Sequence, residues 1–440
     1  MKQGPGVKQA QKLLQEHGER GWAMMVRQFG HTWSFQGSVV TADPVLVHKL
    51  LSEPAQTEHR PTVYRLFGKI PGTDGILFKD GEAWRARLKA LMPSFNKAHV
   101  DPFIGFVHEE VTASFEGLCR EHDGVGPDLF AHVMKLGLRL SMRLGYGIDP
   151  DLPQAAALGQ VLYDYKCQMM RPECRIDSFG LTLGLLARAP RVWMNWRGLK
   201  QQSKGLQAQL QALAKTDGIE PDGWLRRLAD TKLSLQEQTC EVNHLYGAYN
   251  AIDYILTSAL HELWQRPQWV ERLRAELDEV LQDRPHPERA DFERMPLMDA
   301  FMRETLRRYP VSLSVARQVE EPIELESGET LEKGAQILIL LHALHHDEGF
   351  WKDPFDFNPE RWLDPEQTRR TDGHYVPFLY GRRKCIGRVL AEMEFMVVLS
   401  ALLRGFELNI RHEAYAQEPY MIPRIKDAIP FRVRRREVRA

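Results

Sequence analysis

Residues 378–387 read Phe-Leu-Tyr-Gly-Arg-Arg-Lys-Cys-Ile-Gly and set one sulfur nucleophile among three cations and two glycines. Gly381 and Gly387 permit a tight turn and a close backbone approach to a flat cofactor. Cys385 lies just before a helix expected to begin near Gly387, so backbone N–H groups and the positive end of that helix can stabilise a thiolate. A cysteine among Arg382, Arg383 and Lys384 does not describe an inert core position. The chemistry on offer is therefore metal ligation through sulfur. Upstream, Glu304 and Arg307 are spaced to share one helix face, although such a pair in isolation is worth little.

These residues need a scaffold, and the hydrophobic pattern supplies one that is mostly helical. An amphipathic helix is expected over Val7–His17, strand-like residues surround Gly37, and a helix starts at Pro44 with proline in its first turn. From 82 to 290 the pattern is almost wholly helical. Ser234 and Glu237 form an S-x-x-E capping box, and no proline follows until Pro267, so residues 235–265 should form one long helix crossing the centre. Its Glu241, Asn243, His244, Asn250 and Asp253 rule out a membrane span. A second helix begins near Pro296 and must stop by Tyr309, because Pro310 cannot continue it. A hairpin is expected over 323–331, a strand over 337–341, and an irregular meander over 353–377. A last helix carries Leu390, Met393, Val397 and Ala401 on one face.

Composition narrows the class. The 440 residues are 43% hydrophobic with a formal net charge of −1, which gives no overall basic field for nucleic acid. No linker or repeat divides the chain, so one domain over residues 1–440 is expected. Cys119, Cys167, Cys174, Cys240 and Cys385 contain no C-x-x-C pair. That disfavours a disulfide framework, a zinc ribbon and a covalently attached c-type haem, and it suits a reducing compartment. Neither a signal peptide nor a transmembrane anchor is legible, and a cytoplasmic location is the default.

The pattern F-x-x-G-x-R-x-C-x-G at 378–387 resembles the haem-binding loop of the cytochrome P450 superfamily. Glu304-Thr-Leu-Arg307 and the segment Phe357-Asn-Pro-Glu-Arg361-Trp match the same family in the same order. The resemblance implies a mainly α, P450-like fold: a large helical body with a small β region. It implies Cys385 as the thiolate ligand of haem b (iron protoporphyrin IX), framed by Phe378, Gly381 and Gly387. A thiolate ligand pushes electron density onto iron and favours O–O cleavage. A Glu304–Arg307–Arg361 network would lock the meander behind the haem. Arg383, Arg317 and Trp84 would meet the haem propionates. Leu88 stands where the family commonly places a further cation, with Arg87 or Arg85 as substitutes.

The reaction implied is a monooxygenation that inserts one oxygen atom from dioxygen into a hydrophobic substrate. Residues 170–200, with Phe179, Leu181, Leu183, Leu185, Leu186, Trp193 and Trp196, would roof a pocket for a fatty acid, terpene or steroid. Electrons would come from a separate ferredoxin or flavoprotein reductase, docked near Arg382, Lys384 and Arg388.

One segment departs from the family. Its A/G-G-x-D/E-T run corresponds here to Gly247-Ala248-Tyr249-Asn250-Ala251, which keeps the small residues and loses both the acid and the alcohol that help deliver protons. Ordered water or a substrate hydroxyl would restore the relay. Alternatively the substrate is a hydroperoxide or endoperoxide, rearranged or dehydrated without external electrons, or oxidation is driven by peroxide. A shifted register would make Asp253 the acid, and a non-catalytic haem binding protein is the reading from another class.

Overall fold

Ser234 opens the longest element as its sequence requires: its hydroxyl accepts from the Glu237 N–H at 3.4 Å, and the Glu237 carboxylate accepts from the Ser234 N–H at 2.9 Å. The computed structural model describes residues 1–35, 37–53, 60–61, 64–65, 68–169, 189–213, 219–220, 223–369, 373–410, 417–418, 424–425 and 427–437.

The elements that position the site are few. Helix α1 (Arg20–Phe29) leads into strands β1 (Thr32–Phe35) and β2 (Ser38–Thr41), and then into α2 (Pro44–Ser52). Asp43 caps α2 by accepting from Val45 N–H and Leu46 N–H at 2.9 and 3.0 Å, with Pro44 in its first turn. There follow α3 (Gly81–Leu91), α4 (Leu129–Leu140), the long α5 (Leu235–Trp264) and α6 (Pro296–Arg308). Strands β3 (Val315–Gln318) and β4 (Gln336–Ile339) precede α7 (Leu341–His345), and α8 (Arg388–Gly405) follows the cysteine.

The sheet joins distant parts of the chain. β1 pairs antiparallel with β2, β2 parallel with β4, and β4 antiparallel with β3, so that Val39 opposes Ile337 and Arg317 opposes Ile337 from the other side. A two-residue strand, Lys2–Gln3, extends its edge beside β1 and was not expected from the sequence. The helix over Val7–His17 forms as expected, and the hairpin appears as the short strands Ile323–Glu324 and Thr330–Leu331. The meander is irregular apart from the turns Pro359–Trp362 and Pro365–Arg369.

Helix α8 differs from expectation. It is buried continuously from Met393 to Leu403 rather than along one stripe, because it packs against α5 and α6 among others. Its Glu394 is buried as well, where burial and the neighbouring Asp253 push its carboxyl well above the usual carboxylate range. No helix among the described residues is long and apolar enough to cross a membrane.

Candidate haem-thiolate site

The cysteine loop is held by its own backbone and by α2. Cys385 donates its N–H to Phe378 O at 2.8 Å, which closes the loop. Leu379 and Gly381 both take left-handed backbone, φ +59° and +68°. At Gly381 glycine is obligatory twice over, since a Cβ there would stand 2.1 Å from the Leu51 carbonyl oxygen at the end of α2. Gly387 is different: its φ of −82° is open to any residue, so the turn does not require it. A Cβ at Gly387 would instead lie 3.8 Å from the Cys385 sulfur, so the glycine keeps the approach to that atom open. Phe378 is half-buried beneath the Arg388 guanidinium, 5.7 Å from its ring centre.

Cys385 is exposed, yet desolvation by the surrounding protein is the largest influence on its thiol. The residue is thus accessible to solvent while protein atoms crowd around its thiol. Burial pushes the thiol pKa up, against the Gly387 and Arg388 N–H groups and the Arg388 charge, which push it down. The helix terminus expected to favour a thiolate is thus present and outweighed by burial, and a cation bound at the sulfur would favour the thiolate further.

Helix α5 carries a line of accessible residues of its own. His244, Gly247, Ala251 and Ile252 are part-exposed and Ala248 is exposed, whereas Leu245, Tyr246, Tyr249, Asp253 and Tyr254 are buried. This is the spacing of one helical face. Gly247, Ala248 and Ala251 lie together on that accessible face. Asp253 lies on the other face, so close to α4 that a Cβ on Gly137 would meet its Oδ1 at 2.0 Å. That overturns the shifted register. The Asn250 side chain and residues 170–188, with Phe179, Leu181, Leu183, Leu185 and Leu186, lie outside the described residues, as does the Trp193 side chain; Trp196 is exposed on the helix Ala189–Leu213.

Three buried arginines gather beside the loop. Arg383 donates to Lys79 O at 2.8 Å and to Asp80 Oδ1 at 3.1 Å, with its guanidinium 4.2 Å from the Trp84 ring centre. Arg317 is fully buried on β3, and its one hydrogen bond goes to its neighbour Ala316 O at 2.9 Å. Among the described residues its Nε and Nη2 have no hydrogen-bond partner, and neither does Nε of Arg60. Burial, the charge of Arg60 and their mutual repulsion push Arg317 and Arg383 down to about 9, a measure of strained positive charge rather than of neutral arginine. Tyr64 and Asp80 offset the charge of Arg60, Tyr64 that of Arg317, and Asp80 that of Arg383.

This donor set fits haem. Two propionates would neutralise the remaining charge and accept the orphaned N–H groups. Arg60 was missed by sequence reasoning, since it sits in no motif. Arg87 does not join the group: it is buried, its Nε donates to Glu241 at 2.6 Å and its Nη2 to Glu237 at 2.9 Å, both on α5. Arg85 is exposed, and Leu88 packs on the core.

The Glu304–Arg307 pair is fully buried and saturated. Glu304 accepts from Arg307 Nε and Nη2 at 2.9 Å, from Asn358 N–H at 2.8 Å, from Arg361 Nε at 3.2 Å and from Trp362 Nε1 at 2.9 Å. Arg307 also donates to the carbonyls of His345, Pro354 and Asp356. The three charges expected from sequence come together, and Trp362 is a fourth member that the motif did not announce.

With this geometry, the comparisons with known proteins agree. The Cytochrome P450 family profile matches residues 25–422. Cytochrome P450 4F5 of Rattus norvegicus is 22% identical over 422 residues, covering 89% of this chain and 79% of that protein. Human mitochondrial sterol 26-hydroxylase is 34% identical over 221 residues, 49% of this chain and 41% of that one. The crystal structure of the cytochrome P450DA heme domain superposes with a TM-score of 0.74 over 95% of this chain and 93% of that chain, at 20% identity, which speaks for the fold.

Proposed function

The chain belongs to the cytochrome P450 family, and on that premise we propose which residues carry its reaction and on what class of molecule. It is a haem-thiolate monooxygenase, which inserts one atom of dioxygen into a hydrophobic substrate and takes electrons from a redox partner. Cys385 is the iron ligand, and Arg60, Arg317, Arg383 and Trp84 hold the propionates of haem b within a single domain spanning residues 1–440. When bound, the haem supplies oxygen activation, which a thiolate ligand favours. Gly247, Ala248 and Ala251 keep the facing wall of the cavity small, so that substrate and dioxygen share it. With alanine at 251, no side-chain hydroxyl passes a proton there, and ordered water or a substrate hydroxyl does so.

The substrate is a fatty acid, terpene or steroid-sized molecule. The donor is a separate ferredoxin or flavoprotein reductase that meets exposed Arg382, Lys384 and Arg388, and the protein works in the cytoplasm. Rearrangement of a hydroperoxide and non-catalytic haem binding are not favoured by the relatives named above. The observation that carries the reading is the enclosed but solvent-reachable Cys385 beside orphaned buried arginines. Its test is the carbon monoxide adduct of the reduced protein, which should show the red-shifted Soret band of thiolate ligation and lose it in Cys385→Ala. Labelled dioxygen with reductant should then put one labelled atom into product; equal turnover on peroxide alone without label would defeat the monooxygenase assignment.

A further inference from the structure

His244 lies on the accessible face of α5, four residues before Ala248 and so about 6 Å along the helix. Its ring meets Phe78 edge-on, centroids 6.1 Å apart at 85°. The backbone at Gly75 crosses it so closely that a Cβ there would stand 2.8 Å from the His244 Cβ. The imidazole is therefore held in place, yet among the described residues no hydrogen bond reaches either ring nitrogen. Burial and the charge of Arg60 push it down to about 4, which leaves it neutral at pH 7 with one donor and one acceptor.

A fixed polar group on an apolar cavity wall wants a partner, because leaving it unmatched costs more than a hydrogen bond returns. The surrounding charge says which partner. Arg60, the one charge among the described residues that acts on the imidazole, would be answered together with Arg317 and Arg383 by Asp80 and two haem propionates, which leaves no positive charge at His244 to favour an acid. We infer that His244 is the polar anchor of the substrate pocket and selects a hydrophobic molecule bearing a neutral carbonyl or hydroxyl oxygen. The inference rests on this cavity being the haem site and narrows its substrate class from hydrophobic molecules in general.

The test uses the haem-loaded protein and two probes of matched shape, cyclododecanone and cyclododecane, titrated by the Soret shift that accompanies substrate entry. His244→Phe should weaken the ketone about three- to tenfold and leave the hydrocarbon within about twofold, while His244→Gln, which keeps a donor and an acceptor, should restore ketone binding. Equal changes for both probes in His244→Phe, or no shift with the ketone in wild type, would overturn the anchor. Each variant is first checked by its carbon monoxide band. A missing thiolate band in wild type refutes the haem-thiolate reading itself, whereas an intact band with indifferent probes refutes only His244.

Discussion

The sites around Glu304 and around Arg317 bury arginine equally, with Arg307 and Arg317 both fully inaccessible, and they differ in whether the hydrogen bonds are complete. Arg307 spends its donors on Glu304 and three backbone carbonyls. Among the described residues Arg317 has two nitrogens with nothing to bond and two like charges for neighbours. The first arrangement is complete within the protein and belongs to the scaffold. The second would be completed by an anion, and is the one proposed to receive the haem propionates. Saturation, rather than burial or charge, separates a structural ion pair from a ligand site here.

The largest test of that contrast is Glu304→Ala. It strands Arg307 and Arg361 in the interior, and denaturant unfolding of the haem-free protein should show a loss on the order of 3–5 kcal/mol. Haem-free protein as stable as wild type would erase the distinction. Arg317→Leu should behave in the opposite sense. The haem-free form gives up one hydrogen bond to Ala316 and sheds repulsion, so its unfolding midpoint should hold or rise. The loaded form should pass haem to apomyoglobin roughly tenfold to hundredfold faster, the measure of a charge-assisted bond worth about 1.5–3 kcal/mol.

A third test uses pH on another saturated pair. Glu19 accepts both Arg308 nitrogens at 2.8 and 2.7 Å; burial opposes its ionisation, but the His342 imidazole 3.6 Å away and the Arg308 charge and hydrogen bonds win and hold it down to about 2, from an ordinary 4.5. A depressed carboxylate stabilises the fold above its unfolded pKa and loses that contribution as pH falls from 4.5 through about 2. Glu19→Gln should therefore cost roughly 2–3 kcal/mol at pH 7 and almost nothing near pH 2. An equal cost at both would place the effect in packing rather than charge. The smallest effect belongs to Arg85→Ala. Arg85 is exposed and outside both sites, and neither haem retention nor stability should move by more than about 0.5 kcal/mol.

What the sequence made legible follows the same division. Cys385, Arg383, Glu304, Arg307 and Arg361 sit in short contiguous patterns; the last three come together as their pattern implied, and the first two share one closed loop. Arg317 was found because it follows Pro310 on a strand with a fixed partner. Arg60 carries no such local mark: it joins the group through folding, its N–H held by Asp80 at 2.8 Å and its guanidinium 5.0 Å from the Tyr64 ring centre. Arg87 shows the converse error. Spacing from Trp84 made it a candidate, but the competing acids Glu237 and Glu241 lie on a helix far away in sequence and were closer in space. The α8 helix was read as one-sided because its apolar stripe is real; that the other faces are covered depends on neighbours no single segment reveals.

The Leu51 carbonyl beneath Gly381 also bears on how the molecule assembles. The cysteine loop is shaped against the end of α2, an element from the opposite end of the chain, so the ligand cannot reach its final position until that long-range contact forms. Closing so large a loop is slow and comes late in folding. Haem capture should therefore be among the last steps, and a chain released without α2 would carry the whole cysteine motif yet have no surface on which to set it.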